Sequence, residues 1–352
     1  RAILWIDQAL TVSPSALAFL LLVPPSIQHR CETLMPGFDL PYQPIPHKLY
    51  SPADLFQGYD PGQAASWERS VDFEIYRHFV TEGGTKPRNP YMGMMQALHD
   101  NAILEATAVY IEGRRVVAII GDHKLARDSA SYRQAASLAR RLTRHGYLIC
   151  TGGGPGAMEA GHLGACLAGS SDEALELALR RLSTYPVVPD LKNILDSNGT
   201  VDPRLAAEAS AWFRPAFELA ESIQSPGESL AIPTWGYGHE PPSPFATHIA
   251  KYFQNSIRED GLLAIARQGI LCMEGKAGTI QEIFQDSAQN YYETFGPFSP
   301  MVLFGVEYWT KTYPVAAVMQ NLFADQFAEY VLVTDDVDAA ASFIERFSSS
   351  TG

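Results

Sequence analysis

Little in this chain is basic. Lys and Arg number 26 against 39 Asp and Glu, a formal net charge of −13. A protein that wraps nucleic acid neutralises phosphates with a basic surface, so the balance argues against that class. Only a local pocket for one small phosphate stays open. Cysteine is sparse as well. The four (Cys31, Cys150, Cys166, Cys272) are scattered and form no CxxC pair. Neither a disulfide framework nor a zinc site is indicated, and Cys150 and Cys272 sit in apolar runs as expected of reduced buried thiols. Long apolar runs are missing too. The longest, Ala16 to Val23, falls far short of the roughly 20 residues that a membrane span needs. No internal repeat is visible. The expectation is a cytoplasmic, enzyme-like protein with neither membrane nor nucleic acid as partner.

What is present is enough apolar sequence, 46% of 352 residues, for one large or two medium domains. Residues 1 to 112 read as an N-terminal extension, partly helical and proline-rich. Ile3 to Ile6 could be a strand and Ser15 to Val23 a short buried element. Prolines then accumulate (Pro24, Pro25, Pro36, Pro41, Pro44, Pro46, Pro52), which indicates extended chain over a surface. Trp67 to Val80 and Tyr91 to Tyr110 have helical spacing.

The pattern changes at Arg114. Val116 to Ile120 is a continuous apolar run, as in a strand buried on both faces of a parallel sheet. An amphipathic helix follows over Ser131 to His145, then a strand over Tyr147 to Cys150. Residues 113–352 are expected to form an α/β fold: a Rossmann-like, doubly wound parallel sheet with helices on both faces. Residues 170–227 interrupt the alternation as a helical insertion, with helices over Asp172 to Leu182 and Pro203 to Ile223. Ser229 to Pro233 is then a strand, Phe245 to Gln268 a helix broken near Asp260-Gly261, and Gly269 to Met273 a strand. Further elements are a helix over Thr279 to Tyr292, a strand over Met301 to Gly305, a helix over Pro314 to Ala324, a strand over Tyr330 to Val333 and a helix over Asp338 to Phe347.

Two strand–glycine–helix junctions carry the chemistry. The first is Gly152-Gly153-Gly154-Pro155-Gly156-Ala157-Met158-Glu159-Ala160. Such a junction offers unpaired N–H groups and a helix dipole, and glycine admits a phosphate or ribose closely. The second is Glu274-Gly275-Lys276-Ala277-Gly278-Thr279-Ile280-Gln281-Glu282. Thr279 can cap or donate at the helix start. Glu282 stands three residues on, either completing a capping box or held as a carboxylate beside a nucleotide.

Together the two turns resemble the paired motifs of the lonely-guy (LOG) family, long misnamed lysine decarboxylases, in its larger bacterial form. Gly152 to Ala160 is similar to that family's GGGxxGxM turn, and Gly275, Gly278, Thr279 and Glu282 to its PGGxGTxxE turn. The resemblance covers Arg114 to the end. Glu274 stands at the family's leading proline and Lys276 at its second glycine. The resemblance implies a phosphoribohydrolase that cleaves the N-glycosidic bond of a purine or pyrimidine nucleoside 5′-monophosphate. The products are free base and ribose 5-phosphate. It implies Arg258 and Glu282 as the catalytic pair, no cofactor, no metal, and a homodimer or larger oligomer. The 5′-phosphate would sit on the Gly275 to Thr279 turn, with Gly152, Gly153, Gly154, Met158 and Glu159 forming the opposing wall.

Lys276 could bind phosphate directly or fill the cradle. Glu274 would repel phosphate unless it points away or is paired. Two other functions follow from those departures: an enzyme that cleaves or transfers ribose of an unusual nucleotide, and a non-catalytic nucleotide sensor. Tyr237 and His239 follow a strand end and could hold the base. Asp122 and His123 end the first strand and could face the same cleft. His248 and Lys251 share a face of the expected helix before Arg258. His162 and Cys166 lack a third ligand for a metal. A dehydrogenase is disfavoured, because the first turn lacks GxGxxG spacing after the first strand. Lysine decarboxylation needs pyridoxal phosphate on a lysine, and the only lysine in a pocket context is Lys276.

Overall fold

The computed structural model describes residues 40–350. The strand expected at Ile3 to Ile6 and the element at Ser15 to Val23 lie outside the described residues. Seven parallel strands form one sheet in the order β4-β3-β2-β1-β5-β6-β7. They are β1 (Arg115–Ile120), β2 (Tyr147–Thr151), β3 (Ser229–Ala231), β4 (His248–Ile249), β5 (Ile270–Cys272), β6 (Met301–Phe304) and β7 (Val331–Thr334). From β1 the chain steps outward through β2, β3 and β4. It then returns to lay β5 against the other side of β1, with Ile119 opposite Leu271. This reversal puts a topological switch point between β1 and β5, and open α/β sheets bind ligands beyond the strand ends there.

The period-two alternation of β1 explains the layers. Val117 and Ile119 join one core cluster with α3 (Ala130–Arg144), α4 (Ala157–Cys166), α5 (Asp172–Leu182) and α10 (Val337–Ser350). Val116, Ala118 and Ile120 join a second with α2 (Pro90–Ile111), α7 (Asn255–Ile265), α8 (Ala277–Tyr291) and α9 (Val315–Phe323). Helices therefore cover both faces, as the continuous apolar strands require.

A third cluster joins the two additions to the sheet. Trp67 and Phe73 from the chain before α2, the latter on α1 (Val71–Thr81), pack with Trp212 and Phe213 of α6 (Pro203–Ser222) in the insertion. Phe213 lies 4.7 Å from Phe56 and 5.1 Å from Trp67, ring centre to centre. The N-terminal segment also closes the sheet's edge. Tyr50 pairs antiparallel with Ile249, each N–H donating to the other's carbonyl at 3.0 and 2.8 Å, so β4 presents no open ladder. Among the described residues no helix is long and apolar enough to cross a membrane.

Two expected helices differ. Trp67 to Val80 divides at Ser70 into a 3₁₀ segment, Ala64–Arg69, and α1, because the Ser70 hydroxyl accepts from Phe73 N–H as an N-cap. Phe245 to Gln268 is not one helix broken at Gly261. Its first part supplies β4 and extended chain, and α7 then runs unbroken through Asp260-Gly261. The physical cause is Asp100 on α2. Its carboxylate accepts from Phe253 N–H at 2.8 Å and Gln254 N–H at 2.9 Å, which holds those N–H groups outside a helix.

Candidate functional site

A cleft of ≈ 610 Å³ opens over the carboxyl ends of β1, β2, β3 and β5, at the switch point. Its size suits a small organic ligand. The floor is the triple-glycine turn after β2. Gly153 takes φ +76°, in the left-handed region, and a Cβ there would stand 2.9 Å from the Ala231 Cβ. The turn is fixed from beneath by His162. Its ring bridges the Thr151 hydroxyl at 2.8 Å and the Ser229 hydroxyl at 2.9 Å, and Thr151 in turn accepts from Gly153 N–H. Burial pushes the His162 pKa down to about 3, so the ring is neutral. It serves packing and hydrogen bonding, and no metal-holding cluster occurs among the described residues.

Gly152 has a different reason to be glycine. A Cβ there would fall 1.8 Å from Arg258 Nη2 and 2.9 Å from Met158 Sδ. The guanidinium lies directly on the turn. Arg258, in the first turns of α7, donates from Nε to the Ile232 carbonyl at 2.9 Å and from Nη1 to Glu282 Oε1 at 3.4 Å. Both side chains are only 12% exposed. Burial raises the Glu282 pKa, and the Arg258 charge opposes that shift.

The second junction faces the first. The initial intrahelical bond of α8 runs from Ile280 N–H to the Lys276 carbonyl. The N–H groups of Ala277, Gly278 and Thr279 precede it without intrahelical acceptors, and all three residues line the cleft. Gly278 has open space where a Cβ would be, whereas a Cβ on Gly275 would meet the Thr279 hydroxyl at 2.0 Å. Tyr308 pins the turn by donating to the Gly275 carbonyl at 2.8 Å. Thr279 is the third helical residue and Lys276 the cap position, so the Thr279–Glu282 capping box does not form; Glu282 pairs with Arg258 instead. Glu274 does not line the cleft. Its carboxylate lies against Gly305, and burial and the nearby Asp335 raise its pKa. Lys276 is exposed at the cleft rim.

The far wall comes from the loop after β3. Thr234 caps a 3₁₀ turn, Trp235–Tyr237, and Trp235 is buried. Tyr237, 53% exposed, and His239 reach the cleft, as does Glu240. Asp122 and His123, after β1, line the same space.

Twelve of the fourteen expected site residues therefore line one cleft, and Glu159 and Gly275 do not. Glu159 is fully committed elsewhere. It accepts from Arg127 Nε at 2.8 Å and Nη2 at 2.6 Å, and from the Tyr132 hydroxyl at 2.9 Å, all buried. A carboxylate so saturated anchors α4 to α3 and has nothing left for a ligand. Gly275 acts beneath the cleft, leaving room for Thr279. Lys251 and His248 are also elsewhere: Lys251 is buried against Asp72 at 2.6 Å, and His248 stacks on Tyr110 at 4.0 Å. Sequence reasoning passed over Glu240, Lys124 and Lys192. Glu240 had a usable signal, its place after a strand end. Lys192, carried by the insertion, had none.

No protein-family model matches the chain, and no curated protein sequence matches it. Among solved structures, it is similar to the molybdenum cofactor carrier protein MCP from Chlamydomonas reinhardtii. The identity is 15% over 67% of this chain and 99% of that one, with a TM-score of 0.40. The strand order and the place of the cleft define a class of fold, a Rossmann-like α/β protein with its cleft at the switch point of a seven-stranded parallel sheet.

Proposed function

We propose that the protein hydrolyses the N-glycosidic bond of a nucleoside 5′-monophosphate, releasing free base and ribose 5-phosphate. The observation that carries the proposal is the Arg258–Glu282 pair lying on the triple-glycine turn, opposite the free N–H groups at the start of α8. The phosphate is held by those N–H groups and by Lys276. The missing Cβ of Gly154 lets the ribose approach the floor, and that of Gly152 seats the Arg258 guanidinium there. Cleavage builds positive charge at C1′, and Glu282, a buried carboxylate beside the ribose, stabilises it and takes the proton of the attacking water. Arg258 opposes the upward pull of burial on the Glu282 pKa, which favours the carboxylate, and offers its remaining N–H groups to ribose or phosphate oxygens. Glu274 lies outside the cleft, its carboxylate against Gly305, so it does not stand in the phosphate cradle itself.

A panel of purine and pyrimidine nucleoside 5′-monophosphates, followed for free base by chromatography, tests this. Base release from at least one is expected, with Glu282→Gln reducing it by about 10²–10⁴-fold. Saturable binding without base release from any of them would instead identify a nucleotide sensor.

A further inference from the structure

The reading above leaves one proton without a donor. As the C1′–N bond breaks, its electron pair passes to the base, and an unprotonated base is a poor leaving group. We infer that Glu240 is the acid that protonates the departing base, a role that rests on the hydrolase reading of this cleft.

The geometry places Glu240 for that work. Along the first turn the order is Glu282, Arg258, Gly152, Met158, Gly154, Glu240. A Cβ on Gly152 would touch Arg258 and Met158, and one on Gly154 would stand 3.0 Å from Met158 Cε and 3.5 Å from Glu240 Oε2. Glu240 therefore stands across the glycine floor from the Glu282 pair, on the wall that also carries Tyr237 and His239. Its loop is fixed to the floor: Ser243 N–H donates to the Gly153 carbonyl at 2.8 Å. Unlike Glu159 and Glu282, neither of its carboxyl oxygens accepts a hydrogen bond within 3.5 Å from the described residues. The nearest ring nitrogens to it are His123 Nε2 at 3.7 Å and His239 Nε2 at 3.9 Å. The cations facing it are Arg258 from α7, Lys124 beyond β1 and Lys192 from the insertion. Asp122 stands behind His123, at 3.5 Å from its Nδ1. Burial outweighs these cations and raises the Glu240 pKa, the direction a proton donor needs.

The step balances. Water adds to C1′ and gives its proton to Glu282 as the C1′–N bond breaks. The bond's electrons go to the base, and the Glu240 proton moves to a ring nitrogen, so the base leaves neutral. Glu282 ends protonated and Glu240 ionised, and proton exchange with solvent restores both. Glu282 acts in its ionised form, so the rate rises as pH climbs through its pKa. Glu240 acts in its protonated form, so the rate falls as pH climbs through its own.

The test compares a nucleoside 5′-monophosphate with 4-nitrophenyl β-ribofuranoside 5-phosphate, whose leaving group needs no proton. Glu240→Gln is expected to lose roughly 10²–10⁴-fold on the nucleotide and to stay within about tenfold of the native enzyme on the nitrophenyl substrate. In the native enzyme the alkaline fall should appear with the nucleotide and vanish with the nitrophenyl substrate; this arm needs no variant. Equal losses on both substrates, or the same alkaline fall with both, would overturn the assignment to Glu240 while the hydrolase reading stands. Failure of the native enzyme to cleave either substrate removes the hydrolase reading and this inference with it.

Discussion

Gly152 is where one hydrogen atom decides the site. The Arg258 guanidinium occupies the volume that any side chain at Gly152 would need, the clash falling at 1.8 Å. Gly152→Ala must push the guanidinium off the turn and away from Glu282. Steady-state assays of base release should then show a loss of about 10²-fold, the scale of an ångström-sized misplacement of a reacting group. A variant with native turnover would show that the Arg258 position is not what the turn protects. This residue was legible in the sequence, because three successive glycines between a strand and a helix have few other uses. Glu159, eight residues from Thr151 in the same motif, was legible as polar but not as buried. Its partner Arg127 lies 32 positions upstream in a loop without a pattern, and only the fold joins them.

At the scale of the element, α8 carries Glu282 toward the cleft and Asp286, one turn on, toward the core. Asp286 is 3% exposed, with the Asn290 side-chain amide donating to it at 2.9 Å. Burial raises its pKa from 3.8 to about 7. The folded state therefore keeps this proton after the unfolded state has lost it. The stability this group contributes is fully present below about pH 4 and is lost as pH rises to about 7, by up to about 1.4 kcal/mol per pH unit. Asp286→Asn keeps an acceptor for Asn290 and removes the ionisation. Thermal melts should show the variant gaining over the native protein as pH rises from about 5 to 8; parallel curves would refute the burial argument. Helices such as α3 and α8 were easy to place in the sequence because their apolar periodicity runs over three turns or more. β4 was not. Two residues of ladder cannot show a period, and the apolar run from Phe245 fits a helix equally well until Asp100 supplies acceptors from a distant element.

Over the whole molecule, the segment before α2 is tied to the sheet by one buried charge pair. Asp72 on α1 accepts from Lys251 Nζ at 2.6 Å and from Trp235 Nε1 at 3.2 Å. Lys251, just beyond β4, is wholly buried, and burial lowers its pKa against the pull of Asp72. Trp235 stacks on Phe253 at 4.6 Å and begins the loop that ends in His239 and Glu240. The same carboxylate thus joins the N-terminal segment, the sheet edge and the far wall of the cleft. Asp72→Asn leaves a buried ammonium unpaired and should cost about 3–5 kcal/mol in urea unfolding, while replacing both partners by apolar residues should recover most of that loss. The two variants separate stability from function. If the far wall is held chiefly through the Asp72–Trp235 hydrogen bond, the apolar double variant will fold well yet bind nucleotide more weakly, because Trp235 Nε1 has lost its acceptor. Native stability in Asp72→Asn would mean that the aromatic packing around Phe213 and Phe253, with the Tyr50–Ile249 pairing, fastens the segment without the charge pair.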